Sequence, residues 1–184
     1  FVNKCKEANV EYVLVLGNHD YYNSKINQVY LTLDNLGINY LKAGKEWKYK
    51  GYTFVGGTLF TNFRSNKEDE FDVDETKRIA YDNIQDFHSI KDSYIVREFD
   101  FNDGDMFIEQ TYITPNQYHT YCNTEYNWIE KYRHKDNVVV VTHFPYSIEC
   151  ISEYYKNHNN PTIQSLNKYF INDFDVKGFK TILS

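Results

Sequence analysis

The sequence predicts an α/β fold, with layered sheets flanked by helices, over a single domain spanning residues 1–184. Two short apolar runs rich in β-branched residues, Tyr12–Leu16 and Val138–Val141, are typical of strands buried on both faces of a largely parallel sheet. Helical periodicity precedes such segments repeatedly, and turn signals in the middle of the chain predict hairpins. The sequence contains no internal repeat and no linker-like segment, so we expect one domain.

Composition narrows the class of protein. With 41% hydrophobic residues, 18 Tyr and 13 Phe, we expect a packed core dominated by aromatic side chains. The net charge of -6, without a long cationic run, argues against non-specific nucleic-acid binding. The sequence has no run of about 18 to 20 apolar residues, so we expect no membrane span. The three widely spaced cysteines suit free thiols in a reducing compartment, which favours the cytoplasm.

Two of the expected helices have clear boundary signals. Apolar residues at helical spacing predict a helix over Lys25–Leu36, with Ser24 as its cap and Gly37 at its end. Thr114 begins a capping box and is followed by proline at the first helical position. The apolar stripe expected on this second helix is Tyr118, Cys122, Tyr126 and Ile129. A third amphipathic stretch is Ile163–Phe170.

The remaining segments are expected to be strands and loops. Alternation around turn residues predicts hairpins from Trp47–Tyr49 with Tyr52–Val55, and from Tyr94–Phe101 with Met106–Ile108. The chain closes on a further apolar strand, Phe179–Ser184, which we expect in the same sheet as Tyr12–Leu16 and Val138–Val141. The polar segment Asn62–Thr76 is expected to be the most mobile loop.

Chemistry-bearing residues follow the two buried strands directly. Gly17, Asn18, His19 and Asp20 come after the first strand, and His143 comes after the second. Open α/β sheets bind ligands at the carboxyl ends of their strands, so these residues are expected to converge at one edge. An asparagine oxygen and an imidazole suit a divalent cation, while His19 can transfer protons and Asp20 can orient or ligate.

Each of these residues also has a simpler interpretation. The tetrapeptide Gly17–Asp20 could be an ordinary strand-to-helix turn, and His143 alone could be a satisfied histidine at a strand end. It is the pairing of Asn18 with His143 that favours a metal site. Gly104-Asp105 is interpreted as a plain hairpin turn rather than as a metal ligand.

These motifs resemble those of the calcineurin-like metallophosphoesterases. The family has five blocks: Asp-x-His, Gly-Asp, Gly-Asn-His-Asp/Glu, a lone histidine after a strand, and Gly-His-x-His. Residues Gly17–Asp20 match the third block and His143 the fourth, in the right order and after the right kind of strand. Further likeness to one branch of the family lies in Gly56–Thr61, in Tyr81–Ile84 with Ile90, and in the Thr114-Pro115 helix ending in Trp128-Ile129.

The resemblance implies a fold, a site and a reaction. The implied fold is a layered α/β/β/α sandwich of mixed sheets flanked by helices. The resemblance also implies a hydrolase that cleaves a phosphomonoester or phosphodiester with two divalent metal ions, Mn²⁺ before Fe, Zn²⁺ or Mg²⁺. Asn18 and His143 would be metal ligands, His19 the general acid, and Asp20 the provisional partner that orients it. The family's first two blocks are absent from the 16 residues before Gly17, and the last is expected where the sequence ends. We therefore expect the chain to be incomplete at both ends and inactive alone.

Alternatives to this interpretation remain at several positions. A natural terminus in a short edge strand is the alternative for the chain end, and a catalytically inactive binding or regulatory module is the alternative function. Tyr21 and Tyr22 are expected either to line the cleft or to pack in the core. Surface or packing roles are expected for the remaining ionisable candidates: His88, which is the best of them for touching substrate, His119, His134, His158, Arg64 and Arg78.

Overall fold

A four-stranded mixed sheet flanked by helices forms the centre of a mixed α/β fold. The computed structural model describes residues 2–64, 70–96, 107–150, 152–156 and 169–184. Its helices are α1 (Val2–Glu7), α2 (Ile26–Asn35), α3 (Glu70–Asn83), α4 (Asp86–Ser89), α5 (Pro115–Glu130) and α6 (Glu153–Lys156), with 3-10 turns at Asn18–Tyr21 and Ile148–Cys150. Its strands are β1 (Trp47–Tyr49), β2 (Tyr52–Gly57), β3 (Lys91–Val96), β4 (Phe107–Tyr112), β5 (Val138–Thr142) and β6 (Ile182–Leu183).

The strands of the main sheet lie in the order β1-β2-β5-β6. β1 and β2 form an antiparallel hairpin, while β2, β5 and β6 run parallel, with Val55 opposite Val140 and Val140 opposite Ile182. The predictions that Val138–Val141 and the terminal segment share a sheet, and that Trp47–Tyr49 begins a hairpin, are therefore confirmed. β3 and β4 form a separate antiparallel pair. The four-layered sandwich remains a prediction.

The first predicted strand differs from expectation. Tyr12–Leu16 is not one of the four strands, and it pairs through a parallel bridge between Leu14 and Tyr40. The Leu14 N–H donates to the Asn39 carbonyl at 2.9 Å, and the Leu41 N–H donates to the Leu14 carbonyl at 2.9 Å. A strand needs hydrogen-bonded partners along several consecutive residues, and the segment around Tyr40 pairs with Tyr12–Leu16 only at Leu14. The prediction of a doubly buried sheet strand is wrong here, and Leu16 alone in this run is buried.

Helix α2 is confirmed, but its start is not where the sequence suggests. The N-cap is Lys25, which makes no side-chain capping bond, so the prediction of Ser24 as the cap is wrong. The Ser24 carbonyl instead accepts from the Lys91 N–H at 3.0 Å, and Lys25 forms a parallel bridge with Lys91. This pairing with the start of β3 keeps the chain out of helical geometry until Ile26. Gly37, at a φ of 63°, lies just past the helix end as predicted.

Helix α5 begins as predicted. The Gln117 N–H donates to the Thr114 hydroxyl at 3.3 Å, and the Thr114 N–H donates to the Gln117 side chain at 2.8 Å, which completes the capping box. Of the predicted stripe, Tyr118, Cys122 and Ile129 are buried and Tyr126 is half-buried. The buried face also includes the acidic residue Glu125, which the apolar pattern does not indicate.

Two loop predictions have different outcomes. The predicted mobile loop over Asn62–Thr76 is wrong from residue 70 onward, because α3 begins there and turns Val73, Thr76 and Ala80 inward at helical spacing. For the hairpin predicted from Tyr94–Phe101 with Met106–Ile108, the antiparallel pairing is confirmed by β3 and β4, and residues 97–106 lie outside the described part of the chain. Residues 65–69, the Gly104-Asp105 turn, His158 and most of the predicted third helix lie outside the described residues.

Aromatic rings dominate the core, as the composition predicts. The largest fully buried side chains are Tyr21, Tyr40, Tyr118, Tyr146, Phe63 and Phe87. The Tyr118 ring lies 4.2 Å from Phe60 and 5.2 Å from Phe87 between ring centroids, so it joins the rings beneath the site described next. Within the described ranges, the helices are all too short or too polar to cross a membrane.

Candidate active site

The turn after Leu16 is closed by its own backbone and side chains. The Gly17 N–H donates to the Asp20 carboxylate at 2.8 Å, and the Asp20 N–H donates to the Gly17 carbonyl at 3.1 Å. These two bonds complete the 3-10 turn Asn18–Tyr21. As a result Asn18 is buried, whereas the side chains of His19 and Asp20 are exposed.

His143 is held beside this turn by the end of the neighbouring strand. Its N–H donates to the Gly57 carbonyl at 3.2 Å, and the Phe144 N–H donates to the Thr58 carbonyl at 3.0 Å. These bonds continue the pairing of β5 with β2 by two residues. The imidazole then packs closely over Gly17, where a Cβ atom would come within 2.9 Å of the ring. Glycine is therefore required at this position for the ring to approach.

The side chains of Asn18 and His143 meet. His143 Nε2 lies 3.1 Å from Asn18 Oδ1, across 125 residues of sequence. Because an amide oxygen only accepts, the imidazole is the donor, so Nε2 carries the proton in this arrangement. Loss of solvent around the ring lowers the pKa of His143, and the nearby Asp20 carboxylate opposes that effect. The predicted convergence of the two side chains is confirmed, although the segment before Asn18 is not a strand of the main sheet.

A buried carboxylate determines which way the Asn18 amide points. Asp86 is 1% exposed and lies at the start of α4. Asn18 Nδ2 donates to both of its oxygens, at 2.8 and 3.0 Å. The Tyr22 hydroxyl donates to Asp86 Oδ1 at 2.6 Å and the Tyr118 hydroxyl to Oδ2 at 2.7 Å. Reversing the amide would set an oxygen against the carboxylate, so Oδ1 must face His143.

An open cavity of about 590 Å³ lies over these groups. Its walls are the turn Gly17–Asp20, the segment His143–Pro145, Val15 and Phe170. The exposed His19 ring stacks at a tilt on Tyr22, with 4.6 Å between centroids. Asp20 contributes its carboxylate to the turn, and within the described residues it makes no hydrogen bond to His19. The cavity therefore brings all four predicted site residues to one place.

The donor set fits part of a divalent-cation site. Two neighbouring ligands that each lie about 2.1 Å from one octahedral ion are about 3 Å apart, which matches the separation of Asn18 Oδ1 and His143 Nε2. Both ligands are neutral, and hard cations are normally bound with carboxylates. In the part of the chain that the structure describes, no group of three or more His, Cys, Asp or Glu side chains is placed to hold an ion. Asn18 and His143 would thus form one edge of such a site.

The other candidates lie apart from the cavity. His88 is exposed on α4, with its ring 5.9 Å from that of Tyr81. His119 is half-buried, and desolvation lowers its pKa. Arg78 pairs with Glu75 at 2.7 Å on α3. His134 is exposed, Arg64 is half-buried, and Tyr21 is fully buried in the core.

Sequence reasoning missed two buried acids. Asp86 lies between the exposed Gln85 and the buried Phe87, so its sequence context gives no clear signal that the carboxylate is buried. Glu125 lies on the inward face of α5, where its carboxylate accepts from the Leu59 N–H at 2.5 Å. Burial raises the pKa of Glu125 to about 7, against the opposing effect of hydrogen bonds from the Leu59 and Thr58 backbone. Neither acid belongs to the motifs described above.

Comparison of the chain with protein-family models, with curated proteins and with solved structures finds no match.

Proposed function

We propose that this chain carries part of the active site of a metal-dependent phosphoesterase of the calcineurin-like type. The observation that carries the proposal is the meeting of Asn18 Oδ1 and His143 Nε2 at 3.1 Å, although one lies in the turn after Leu16 and the other at the end of β5, 125 residues apart. The exposed His19 lies beside them in the same open cavity. Two side chains able to ligate a metal, next to an exposed imidazole able to transfer a proton, suit metal-assisted hydrolysis of a phosphoester.

The chain's own residues have distinct tasks in this proposal. Asn18 and His143 would hold one of two divalent cations, which supply Lewis-acid stabilisation of the phosphoryl oxygens and activate water near neutral pH. Ligation through Nε2 requires the His143 proton to reside on Nδ1, so the Nε2–H···Oδ1 hydrogen bond must be given up. His19, exposed on the cavity wall, protonates the departing oxygen. Asp20 orients the turn that carries His19.

Hydrolysis of bis(p-nitrophenyl) phosphate with Mn²⁺ tests this function. We expect negligible turnover by the 184-residue chain alone, because two neutral ligands bind a hard cation weakly. In the product of the whole reading frame that encodes the chain, we expect Mn²⁺-dependent turnover that Asn18→Ala and His143→Ala each abolish. Robust Mn²⁺-dependent turnover by the chain alone would contradict the first expectation. Turnover that is indifferent to both substitutions would contradict the proposal.

The neutral donor pair also supports a second candidate, an inactive binding or regulatory module that retains the phosphoesterase fold. Calorimetry with Mn²⁺ on the same two proteins separates the candidates. Tight two-site binding by the whole reading frame favours the enzyme, whereas equally negligible binding by both proteins favours the module.

The remaining features of the proposal follow from the same resemblance and from composition. The substrate is a phosphomonoester or phosphodiester, and the net charge of -6 argues against a long polynucleotide. The four-layered α/β/β/α arrangement belongs to the proposal as well. We place the protein in the cytoplasm because Cys5, Cys122 and Cys150 are free thiols.

A further inference from the structure

The Asn18 amide has two ends with different surroundings. Its oxygen faces His143 and the cavity, while its nitrogen donates to both oxygens of Asp86. The oxygen and the NH₂ group of an asparagine side chain are similar in size, so packing alone hardly distinguishes the two orientations of the amide. Hydrogen bonding therefore decides which atom is presented to the cavity, and Asp86 is the group that decides it.

Asp86 is an unusual residue to find in this position. It is 1% exposed, and among the residues that the structure describes no lysine, arginine or histidine forms an ion pair with it. Burying an ionised carboxylate costs several kcal/mol unless it is paired or fully hydrogen-bonded. Four hydrogen bonds from Asn18, Tyr22 and Tyr118 satisfy it instead. These donors are all neutral, so the hydrogen bonds do not compensate the negative charge of the carboxylate. A cation bound nearby would compensate it.

We propose that Asp86 is the positioning residue of the ligand pair: it holds the Asn18 oxygen toward His143 and places a negative charge behind two neutral ligands of a hard divalent cation. This inference rests on the proposed function. Asp86 does not touch the cation; it acts through the Asn18 amide. The two tyrosine hydroxyls restrain the carboxylate from both sides, since each binds a different oxygen.

Two physical effects follow from this arrangement. A carboxylate that accepts from the amide nitrogen draws the amide dipole toward itself and increases electron density on Oδ1, which strengthens that oxygen as a ligand. The buried charge also compensates part of the cation's charge through a medium that screens less than water. Loss of an outer-shell partner of this kind typically lowers metal affinity about 10- to 100-fold.

A merely structural role for Asp86 would have a different signature. Replacing a buried, fully satisfied carboxylate would then lower the melting temperature, but the folded variant would bind Mn²⁺ as the wild type does. The measurement must therefore be made on folded protein and must report the Asn18 side chain directly. Nuclear magnetic resonance on the 184-residue chain meets both needs, because paramagnetic Mn²⁺ broadens nearby resonances even when it binds weakly.

The test uses Asp86→Asn, which keeps the shape and removes the charge. Glu130→Gln is the matched control, because Glu130 also accepts a tyrosine hydroxyl, from Tyr146 at 2.7 Å, and lies at the other end of α5 from Tyr118. Titration with Mn²⁺ follows the broadening of the Asn18 and His143 resonances in each protein. We expect affinity to fall about 10-fold or more in Asp86→Asn and to stay unchanged in Glu130→Gln.

A second measurement needs no variant. In the wild type without metal, the Asn18 side-chain amide should exchange with water much more slowly than that of the exposed Asn27, because Asp86 accepts both of its contacts. Equal exchange at the two side chains, or unchanged Mn²⁺ affinity in folded Asp86→Asn, would overturn the positioning role. If Asn18→Ala and His143→Ala also bind Mn²⁺ as the wild type does, the proposed function fails with it. If those two lose binding and Asp86→Asn does not, only the role of Asp86 is wrong.

Discussion

The two sides of Asn18 differ in what surrounds them. On the oxygen side lie exposed groups, His19, Asp20 and the His143 ring, around an open cavity. On the nitrogen side lie a buried carboxylate and the hydroxyls of Tyr22 and Tyr118, with every donor matched to an acceptor. The groups on the exposed side are accessible to a ligand in the cavity, whereas the hydrogen bonds on the buried side hold the Asn18 amide in one orientation. Substitutions on the two sides should therefore separate activity from stability.

The largest expected effect lies on the exposed side, at His19. For the product of the whole reading frame, the proposed function predicts that His19→Ala lowers kcat about 10² to 10⁴-fold for substrates with alkyl leaving groups, because a poor leaving group needs a proton in the transition state. Nitrophenyl esters need no such proton and should be slowed far less. Steady-state kinetics with both ester classes, together with elemental analysis for metal, provide the measurement.

Asn18→Ala and His143→Ala are the controls for this substitution. Each should deplete one metal and slow both ester classes alike. Loss of metal from His19→Ala, or equal slowing of both esters, would show that His19 is not the general acid. Unfolding experiments should show little change in stability for His19→Ala, since the ring is exposed.

A second buried acid sharpens the comparison. Asp86 is satisfied by side chains, whereas Glu125 relies on backbone N–H groups and has a pKa raised by burial from 4.5 to about 7. Between about pH 4.5 and pH 7 the Glu125 carboxyl is protonated in the folded protein but ionised in the unfolded chain. Its contribution to the free energy of unfolding is therefore fully present below about pH 4.5. That contribution is lost as pH rises through about 7, and it amounts to about 3 kcal/mol over the whole interval.

Glu125→Gln should remove this pH dependence. Glutamine resembles the protonated acid and does not titrate. Its effect on the free energy of unfolding is therefore the same at every pH. Urea unfolding at pH 5 and pH 8 should show that the wild type loses about 2 kcal/mol more than the variant over this range, since part of the contribution is already lost at pH 5. Glu75→Gln, at an exposed carboxylate on α3, is the control and should leave the wild-type difference in place. Parallel pH profiles for wild type and Glu125→Gln would contradict the assignment.

The site could be predicted from sequence where its signals are local. The β-branched run before His143 indicates a buried strand, and a histidine directly after it must lie at the strand's end. Thr114 and Gln117 indicate the start of α5 because a capping box needs only four residues. Both features depend on residues that are neighbours in the sequence, so the sequence pattern is enough to predict them.

The errors concern partners that lie far apart in the chain. Whether Tyr12–Leu16 forms a ladder depends on a neighbour that its own residues do not specify. Asp86 receives its amide donor from 68 residues away, so no spacing reveals the pairing. Among the described side chains of α3, the buried ones are Val73, Thr76 and Ala80, and these small residues lie among charged ones, so they give only a weak helical signal. Tertiary packing decides all three.

The smallest expected effect is at Tyr22, the residue that belongs to both sides. Its ring stacks on His19, and its hydroxyl donates to Asp86. Tyr22→Phe keeps the ring and removes the hydroxyl, so unfolding free energy should fall by about 1.5 kcal/mol, typical of a hydrogen bond to a charged group. Activity that depends on His19 should be unchanged, because the stacked ring remains.

Tyr132→Phe is the matched control for this last substitution. Its hydroxyl also donates to a carboxylate at 2.6 Å, but that carboxylate belongs to the exposed Glu46, where water replaces a lost donor. Its unfolding free energy should therefore change less than that of Tyr22→Phe, since only the buried Asp86 is left with an unmet bond. Equal losses in the two variants would mean that the Tyr22 hydroxyl contributes no more at Asp86 than a surface contact. The buried side of Asn18 would then owe its rigidity to Tyr118 and to the amide alone.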